Sequence, residues 1–351
     1  MKKLLIIGSN TVHLHNYISL VRERFEEIVF ITDQPNAQYT YEGIRVLFTN
    51  FSVRRPLAFI RSIGYIRKVI CSFSPSIIHS HQLTTNSLLV LLANKKTGKP
   101  CLFTAWGSDV LYNPMQGRIY RIMLKYILRH GKHFTSDSKY MGEVMQKTAQ
   151  KPLDILIANF GIDTNEIKET KKQNILYSNR QFKKLYRIDK IIEAFSRFKV
   201  SHSHEKWKLI VASDGEERAY LKELSMRLGL AADVEFTGWL SKESNLHNYS
   251  VSKYYISIPE SDATSISLLE AMASGCIPIL SDLPANREWV DDGINGYIVK
   301  DLESNYISEA LGINDENARV INRQIISERG TKEANKEKFL SFYKRIIQEG
   351  T

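Results

Sequence analysis

The residues with the clearest chemical potential lie in the stretch 258–275, IPESDATSISLLEAMASG, which carries two acidic side chains eight positions apart. Asp262 falls in a short polar loop after an apolar strand, and Glu270 falls in the first turns of a helix predicted to begin near residues 265–267. The first N–H groups of a helix have no acceptor inside it, and with the helix dipole they attract an anion such as a diphosphate. Here those groups belong to Thr264, Ser265 and Ile266. Since carboxylates accept hydrogen bonds from pairs of hydroxyl groups, the spacing indicates a diphosphate site flanked by sugar-binding carboxylates.

A purely structural interpretation of the same stretch is also open. Ser267 and Glu270 match the S-x-x-E capping box, in which two side chains bond the N–H groups at the start of a helix. Asp262 belongs to a residue type that is common in turns. Spacing alone does not decide between the two roles.

Short apolar strands alternate with amphipathic helices along the chain, a pattern that predicts parallel sheets with helices on both faces. The first half contains the strand candidates 3–8, 28–32, 45–48, 76–79, 100–104, 133–135 and 153–158. The second half contains the candidates 174–177, 208–212, 234–236, 254–258, 277–280 and 297–299. We therefore predict an α/β chain with two Rossmann-like, doubly wound domains. Ligands of such folds bind outside the carboxyl ends of the strands, which is where Asp262 lies.

The domain boundaries follow from changes in composition. Residues 1–158 form the first predicted domain and residues 173–330 the second. The segment 159–172 (NFGIDTNEIKETKK) is predicted to be a linker, because it contains a glycine and then becomes polar and charged. The tail 331–351 is predicted to form an amphipathic helix that packs back on the first domain, since apolar residues recur at i, i+3, i+4, i+7 and i+8 from Phe339.

Several function classes lack their sequence signatures. The loop after the first strand, GSNTVH, has one glycine where a dinucleotide site has GxGxxG, and the segment ANKKTGKP lacks two essential residues of a P-loop. Three widely separated cysteines exclude a CxxC motif and a disulfide scaffold. His79 and His81 share one face of a strand, but no third metal ligand is visible, so no metal site is expected. We expect His81 in the loop after that strand, as a polar contact for substrate, and His79 in a structural role.

The order of the motifs resembles that of glycosyltransferase family 4. The pair Asp262-x7-Glu270 is followed by AMASG, Pro278, NREW at 286–289 and DGING at 292–296, which is similar to the donor-site signature of that family. Upstream, NFGID, IIEAF, DGEE and FTG resemble the family's interdomain segment, a helix after its phosphate-binding strand, a glycine-containing loop and a turn. The resemblance covers almost the whole chain and implies the GT-B fold, with two facing Rossmann-like domains and a central cleft.

What the resemblance implies is a retaining, metal-independent enzyme that moves a hexosyl or N-acetylhexosaminyl unit from a nucleotide-sugar, such as a UDP- or GDP-sugar, without a cofactor. The implied acceptor is a glycan or lipid-linked molecule in surface polysaccharide or glycolipid synthesis. Glu270 matches the residue expected at the nucleotide ribose, and Asp262 replaces a glutamate expected near the sugar hydroxyls. Two cations are expected to neutralise the departing diphosphate: Arg180 matches the first, and Lys184, which we prefer over Arg187, matches the second. Further donor contacts are expected at Asp214, Gly238 and Trp239.

The first domain resembles the family in its loops but departs from it at one position. The segment TAWGSD at 104–109 is similar to the family's T-x-H-G-S-D loop, with Trp106 at the histidine position. Trp106 either stacks on a sugar ring or belongs to the core. Asp109 either contacts an acceptor hydroxyl or holds a turn, and Gly8 and Asn10 match a loop expected near the diphosphate and the acceptor.

The positive charge of the chain is unevenly distributed. The formal net charge is +10, and residues 1–158 alone hold 21 Lys+Arg against 9 Asp+Glu. One predicted helix face carries Arg118, Arg121, Lys125, Arg129 and Lys132, and a second basic set at 54–68 is interleaved with aromatic residues. This composition suits an anionic membrane surface, with a solvated helix face as the alternative, and no nucleic-acid module is recognisable.

The location follows from what the sequence does not contain. No apolar run reaches the roughly 18 residues of a membrane span, and MKKLLIIGSN predicts a strand rather than a signal peptide. We therefore expect a cytoplasmic protein, peripheral on the inner membrane face if the basic half binds lipid. Two rival functions remain open: a nucleotide-sugar epimerase, which would act without an acceptor, and a non-catalytic partner subunit, which Trp106 in place of the family histidine would fit.

Overall fold

The structure is a computed structural model that describes residues 1–34, 39–168 and 170–350. The chain divides into two compact units, Met1–Phe160 with Lys332–Thr351, and Gly161–Thr331. The two units are described separately below.

In the described part of the first unit, parallel strands form one sheet in the order β3-β2-β1-β4-β5-β6-β7. The strands are β1 (Lys3–Ile7), β2 (Glu27–Thr32), β3 (Arg45–Phe48), β4 (Ile77–His81), β5 (Cys101–Thr104), β6 (His133–Ser136) and β7 (Asp154–Ile157). The helices are α1 (Val12–Val21), α2 (Pro56–Phe73), α3 (Thr85–Asn94), α4 (Ser108–Leu111), α5 (Asn113–Gln116), α6 (Arg118–His130) and α7 (Lys139–Ala149), with a 3₁₀ turn at Arg22–Arg24. Central strands such as β1 and β4 are almost wholly buried, as parallel strands with helices on both faces must be.

The second unit repeats this architecture with its own sheet, in the order β10-β9-β8-β11-β12-β13 over the described residues. Its strands are β8 (Gln173–Ser178), β9 (Lys208–Val211), β10 (Val234–Phe236), β11 (Ser252–Ser257), β12 (Ile277–Ser281) and β13 (Tyr297–Val299). Its helices are α8 (Ile188–Ser201), α9 (Arg218–Arg227), α10 (Lys242–Val251), α11 (Ile266–Ala273), α12 (Pro284–Arg287), α13 (Tyr306–Ala310) and α14 (Asp315–Arg329), with a 3₁₀ turn at Lys184–Tyr186. Two apolar clusters, one on each face of this sheet, form its core.

The last helix, α15 (Lys332–Glu349), belongs to the first unit. Its apolar stripe packs into the same cluster as β1, β2 and α1, with Phe339 and Tyr343 fully buried. Tyr343 also makes polar contacts with the first unit. Its hydroxyl lies 2.6 Å from Nδ1 of His79 and contacts the hydroxyl of Tyr17.

The predicted fold class is confirmed, and each expected strand is found within two residues of its predicted bounds. One of those small shifts matters for the site. Strand β4 runs on to His81, so this histidine lies inside the sheet and not in the loop where the sequence had placed it. The strand order reverses at β1/β4 in the first sheet and at β8/β11 in the second, and the loops that follow these strands are where a doubly wound sheet binds ligands.

Candidate active site

The second sheet brings Arg180, Asp262 and Ser265 together at its topological switch point. Nη2 of Arg180 lies 2.8 Å from Oδ2 of Asp262, and Nη1 donates to Oγ of Ser265 at 2.5 Å. The guanidinium also lies over the ring of Tyr186, at 4.5 Å from the centroid. Arg180 follows β8 and Asp262 follows β11, so residues that are 82 positions apart meet because their strands are neighbours.

The electrostatics of this pair favour a fixed positive charge. Burial alone would lower the pKa of Arg180, but the Asp262 carboxylate and nearby tyrosines raise it above its ordinary value. Burial raises the pKa of Asp262, and Arg180 offsets part of that rise. The guanidinium is therefore charged and held in one orientation by its partners.

The N-terminus of the helix that carries Glu270 lies within the predicted range 265–267. Helix α11 begins at Ile266 with Ser265 as its N-cap residue, and Oγ of Ser265 bonds Arg180 instead of a helical N–H group. Thr264 is buried and accepts a hydrogen bond from Nε1 of Trp289 at 3.2 Å. Because Ser267 lies inside the first turn and hydrogen-bonds tyrosine side chains, the capping box with Glu270 does not form. The positive end of α11 and the Arg180 guanidinium therefore meet at Ser265.

Glu270 lies against a group of buried tyrosines from β8, α10 and β11. Burial raises the pKa of Glu270 to about 7, and a hydrogen bond from Tyr249 and the charge of Lys242 limit the rise. The hydroxyl of Tyr249 accepts a hydrogen bond from Nδ2 of Asn179 at 2.7 Å. This network connects the carboxylate on α11 to the residue immediately before Arg180.

The remaining donor-side candidates surround the loop after β8. Lys184 is exposed and interacts electrostatically with Glu217, whereas Arg187 pairs with Glu260 at 3.4 Å. Asp214 is held by its neighbours: it accepts from the N–H of Gly215 at 2.8 Å and pairs with Arg218 at 2.7 Å.

Two glycines shape the donor-side loops. A Cβ at Gly215 would lie 2.5 Å from the carbonyl oxygen of Phe182, so only glycine lets the loop after β9 approach the loop after β8 this closely. Gly238 has φ +75°, and the following Trp239 is 67% exposed. The indole therefore offers an accessible aromatic face.

In the first unit, His81 is fully buried between aromatic rings at the end of β4. Its ring lies 4.5 Å from that of Tyr17 and 4.1 Å from that of His79, and burial lowers its pKa to about 3. The indole N–H of Trp106 points at Nδ1 of His81 at 3.4 Å. Since an indole nitrogen can only donate, Nδ1 accepts and the single proton of the neutral ring lies on Nε2. That Nε2 is buried and has no partner in the described part of the chain.

Asp109 holds the loop around Trp106 by accepting backbone N–H groups. Its Oδ2 accepts from Leu83 at 2.6 Å and its Oδ1 from Trp106 at 3.0 Å. Burial raises its pKa, and these bonds counteract the rise. Of the two roles the sequence allowed, the turn is the one observed here.

Asn10 and Gly8 are likewise engaged within the first unit. The amide of Asn10 donates to the carbonyl of Tyr39 at 3.1 Å and accepts from the hydroxyl of Tyr41 at 2.7 Å. A Cβ at Gly8 would lie 3.2 Å from Cβ of His81, so the loop after β1 and the end of β4 are in close contact.

The cations of the stripe predicted at residues 118–132 differ in whether they are bonded within the chain. On α6, Arg118 and Arg121 are exposed, but Arg129 donates to Gln150 at 2.6 Å. Lys132 lies after the end of the helix, not on it as predicted, and pairs with Glu349 at 2.8 Å. Within residues 1–34, 39–168 and 170–350, no three His, Cys, Asp or Glu side chains are arranged to hold a metal ion. Among the same residues, no helix combines the length and the apolar character of a membrane-crossing segment.

Two family models match this chain. The model of group 1 glycosyl transferases matches residues 161–332, and the 4-like glycosyl transferase model matches residues 2–138. The chain belongs to the glycosyltransferases, with a 4-like first segment and a group 1 second segment. The group 1 segment coincides with the second unit, and the 4-like segment covers β1 to β6 of the first sheet. Arg180, Asp262 and Glu270 all lie in the segment matched by the group 1 model.

Solved structures of glycosyltransferases share the fold of this family member, which is GT-B. A glycosyltransferase from Rickettsia africae superposes with a TM-score of 0.78 at 16% identity, over 99% of each chain. A sucrose-phosphate synthase from Thermosynechococcus elongatus gives 0.84 at 13% identity, over 99% of this chain and 100% of that one. HepE from Anabaena, solved with UDP and glucose, gives 0.80 at 13% identity, over 98% of this chain and 99% of that one.

A curated relative is similar over a shorter stretch. The α-monoglucosyldiacylglycerol synthase of Streptococcus pneumoniae is 26% identical over 141 residues, which is 39% of this chain. The matched stretch covers about a third (32%) of the length of that synthase.

The candidate site also contains residues that the sequence analysis did not single out. Tyr186, Asn179 and Tyr249 contact or connect the residues that were predicted. Asn179 lies in the loop after β8, Tyr186 in a 3₁₀ turn and Tyr249 in α10, and no sequence motif marks any of them. Only the strand order, which places β8 beside β11, would have drawn attention to the residues that follow those two strands.

Proposed function

We propose that this protein transfers a sugar from a nucleoside diphosphate sugar to an acceptor hydroxyl, with retention of the anomeric configuration and without a metal ion. The observation that carries the proposal is the cluster of Arg180, Ser265 and Asp262 at the N-terminus of α11. A departing diphosphate gains negative charge, and a fixed guanidinium together with free helical N–H groups lowers the energy of that charge. The UDP and glucose in the related HepE structure support a donor of this class.

Each candidate residue has a place in this reaction. Glu270 accepts hydrogen bonds from the ribose hydroxyls when it is ionised. Lys184 adds a second cation for the diphosphate. When a phosphate oxygen also binds Arg180, Asp262 can accept hydrogen bonds from hydroxyls of the transferred sugar. Trp239, Gly238 and Asp214 belong to loops that would bind the rest of the donor.

The first unit is proposed to bind the acceptor. His81 presents an Nε2–H that has no partner in the described chain, so it can donate to an oxygen atom of a ligand. Trp106 fixes the tautomer of that ring, while Asp109, Asn10 and Gly8 hold the loops around it.

The transfer itself is proposed to proceed on one face of the sugar. The bond between C1 and the phosphate oxygen breaks with its electron pair going to the diphosphate. The acceptor oxygen bonds C1 from the same side, and its proton passes to the departing phosphate oxygen. We propose a glycan or lipid-linked acceptor in surface polysaccharide or glycolipid synthesis, presented at a cytoplasmic membrane face. The glycolipid activity named for the pneumococcal relative supports this class of acceptor.

A thermal-shift panel with UDP, GDP, dTDP, ADP and CMP, each with and without EDTA, tests the donor site. A nucleotide present at about 100 times its dissociation constant stabilises a protein by about 2.7 kcal/mol, so binding is readily seen. We expect one diphosphate to raise the midpoint, and EDTA to leave that shift unchanged. Incubation of the matching nucleotide-sugar without acceptor then separates the epimerase, which would form a new sugar. No shift with any nucleotide would refute the donor site and favour a non-catalytic subunit.

A further inference from the structure

The positive charge of this protein comes from one continuous segment. Residues 43–136 contain 14 Lys+Arg and a single acidic residue, Asp109. Asp109 is buried and its carboxylate accepts backbone N–H groups, so it places little negative charge at the surface. The surface formed by this segment therefore carries cations almost without counter-charge.

The fold gathers that segment into one layer of helices. Helix α3 packs against both α2 and α6, and the strands that these helices connect follow one another in a single direction across the sheet. Because crossovers between parallel strands are right-handed, the three helices cover the same face of the first sheet. The outward sides of α2 and α6, which are far apart in sequence, thus belong to one surface, which we call the basic helix face.

Large apolar side chains stand exposed among the cations of this face. Leu57 and Ile60 on α2 are 73% and 62% exposed, and Ile119 and Ile122 on α6 are 75% and 69% exposed. Each pair lies on the side of its helix opposite the buried residues. Met115, in the short helix before α6, is also 75% exposed.

The cations around these apolar residues have no carboxylate or backbone partner within the described residues. They are Arg54, Arg61, Lys68, Arg118, Arg121 and Lys125. By contrast, Arg67 donates to the carbonyls of Leu92 and Ala93, and Arg129 and Lys132 are engaged as described above. The structure thus separates cations that hold the fold from cations that are available to a partner.

We propose that the basic helix face docks on an anionic phospholipid bilayer, with the isoleucines and leucine entering the interface and the six cations binding lipid phosphates. An apolar ridge bordered by Arg and Lys is the pattern of helices that lie in a membrane interface. A nucleic acid would use the cations but leave Leu57, Ile60, Ile119 and Ile122 in water. The proposal deepens the membrane setting in the proposed function and rests on it only for the biological role.

Vesicle binding without donor or acceptor separates this proposal from the transferase proposal. We expect the full chain to sediment with vesicles of equimolar phosphatidylcholine and phosphatidylglycerol, and to remain free with phosphatidylcholine alone. The triple variant R118Q/R121Q/K125Q is expected to lower the partition coefficient about a hundredfold, since each cation near an anionic surface contributes about fivefold. The variant I119N/I122N keeps every charge and is expected to lower it by at least about tenfold.

The matched control removes three exposed cations from the second unit, K206Q/K222Q/R227Q, and is expected to bind as the unmodified chain does. Equal losses in the control and in the R118Q/R121Q/K125Q variant would mean that net charge alone drives binding, and would overturn the proposal. Full binding by I119N/I122N would also overturn it. If double-stranded DNA binds while the vesicles do not, the face is a nucleic-acid site instead.

Cys71 offers a direct reporter, because it is exposed on the outward side of α2 while Cys276 is buried and the thiol of Cys101 is bonded to its neighbours. A polarity-sensitive fluorophore on Cys71 should shift its emission to shorter wavelength with anionic vesicles. The same fluorophore on a C71S/V200C chain, where Val200 is exposed in the second unit, should not respond. No shift at Cys71, or an equal shift at both positions, would refute docking through this face.

Discussion

Replacing Arg180 with alanine tests the candidate donor site most directly. The guanidinium side chain is only 11% exposed and contacts both Asp262 and Ser265 at the start of α11. Loss of one fixed donor at a position where charge develops typically lowers turnover about 10²–10³-fold, which is about 3–4 kcal/mol. We expect a loss of this size in the rate of sugar transfer from the donor that the thermal-shift panel identifies.

The same substitution also affects stability, and the structure sets its size. Asp262 would lose its cation while its side chain is 20% exposed, so some water can reach the carboxylate. We therefore expect a loss of about 2–3 kcal/mol, below the 3–5 kcal/mol of a fully buried pair that loses one partner. In a unit of this size that corresponds to a fall of roughly 5–10 °C in the thermal midpoint.

A second substitution separates the two effects. In R180A/D262N the unpaired carboxylate is gone, so the thermal midpoint should recover while turnover stays low. The control R24A breaks an exposed Arg–Glu pair, with Arg24 54% and Glu337 66% exposed, and should cost less than about 1 kcal/mol without changing turnover. Turnover of folded R180A within about tenfold of the unmodified enzyme would refute the assigned role.

Three further predictions concern a carboxylate, a histidine and a pair of glycines. Burial raises the pKa of Glu270 from 4.5 to about 7, so the free energy of unfolding should fall as pH rises between those values, and Glu270→Gln should remove this part of the pH dependence of the thermal midpoint. Because the ribose needs the ionised form, the nucleotide shift should be larger at about pH 8 than at about pH 6, and an equal shift would contradict the assignment. The ¹⁵N spectrum of His81 should show a neutral ring protonated at Nε2 down to about pH 5, with both tautomers in Trp106→Phe; a titrating imidazolium would disprove the geometry. Gly215→Ala should lower the thermal midpoint and weaken nucleotide binding, because the added Cβ would lie 2.5 Å from a backbone oxygen. Gly64→Ala, where the Cβ enters open space on α2, should stabilise by about 0.5–1 kcal/mol. A Gly215→Ala chain with an unchanged midpoint would refute the close approach of the two loops.

Local sequence patterns were sufficient to predict the fold, because each strand and helix leaves its own pattern of apolar residues. Runs of Val, Ile and Leu marked the strands, and alternation with amphipathic helices marked the parallel sheets. The cluster at the start of α11 was also accessible, since Asp262 and Ser265 lie in one loop. Arg180 was found by its resemblance to a family motif, and the sheet order then explains its position.

What the sequence did not reveal has one physical cause, which is that burial and pairing depend on distant parts of the chain. Nothing near His81 shows that β4 extends to it, or that rings from α1 enclose it. The stripe of cations is regular in sequence, yet α6 ends before Lys132. Arg129 and Lys132 bond Gln150 and Glu349, which lie elsewhere in the first unit. Side-chain spacing predicts which residues share a face, but not which of them are hydrogen-bonded or ion-paired within the chain.

The role of α15 follows from the same reasoning. Tyr343 bonds Nδ1 of His79, and the other ring nitrogen of His79 lies 2.6 Å from Oγ1 of Thr104, at the end of β5. His79 is neutral, because burial and the neighbouring His81 lower its pKa well below the ordinary value. With a hydrogen-bond partner on each ring nitrogen, His79 holds β4 in place, and His81 is the last residue of that strand. The last helix of the chain is therefore part of the scaffold of the first-unit site, although it follows the whole second unit in sequence.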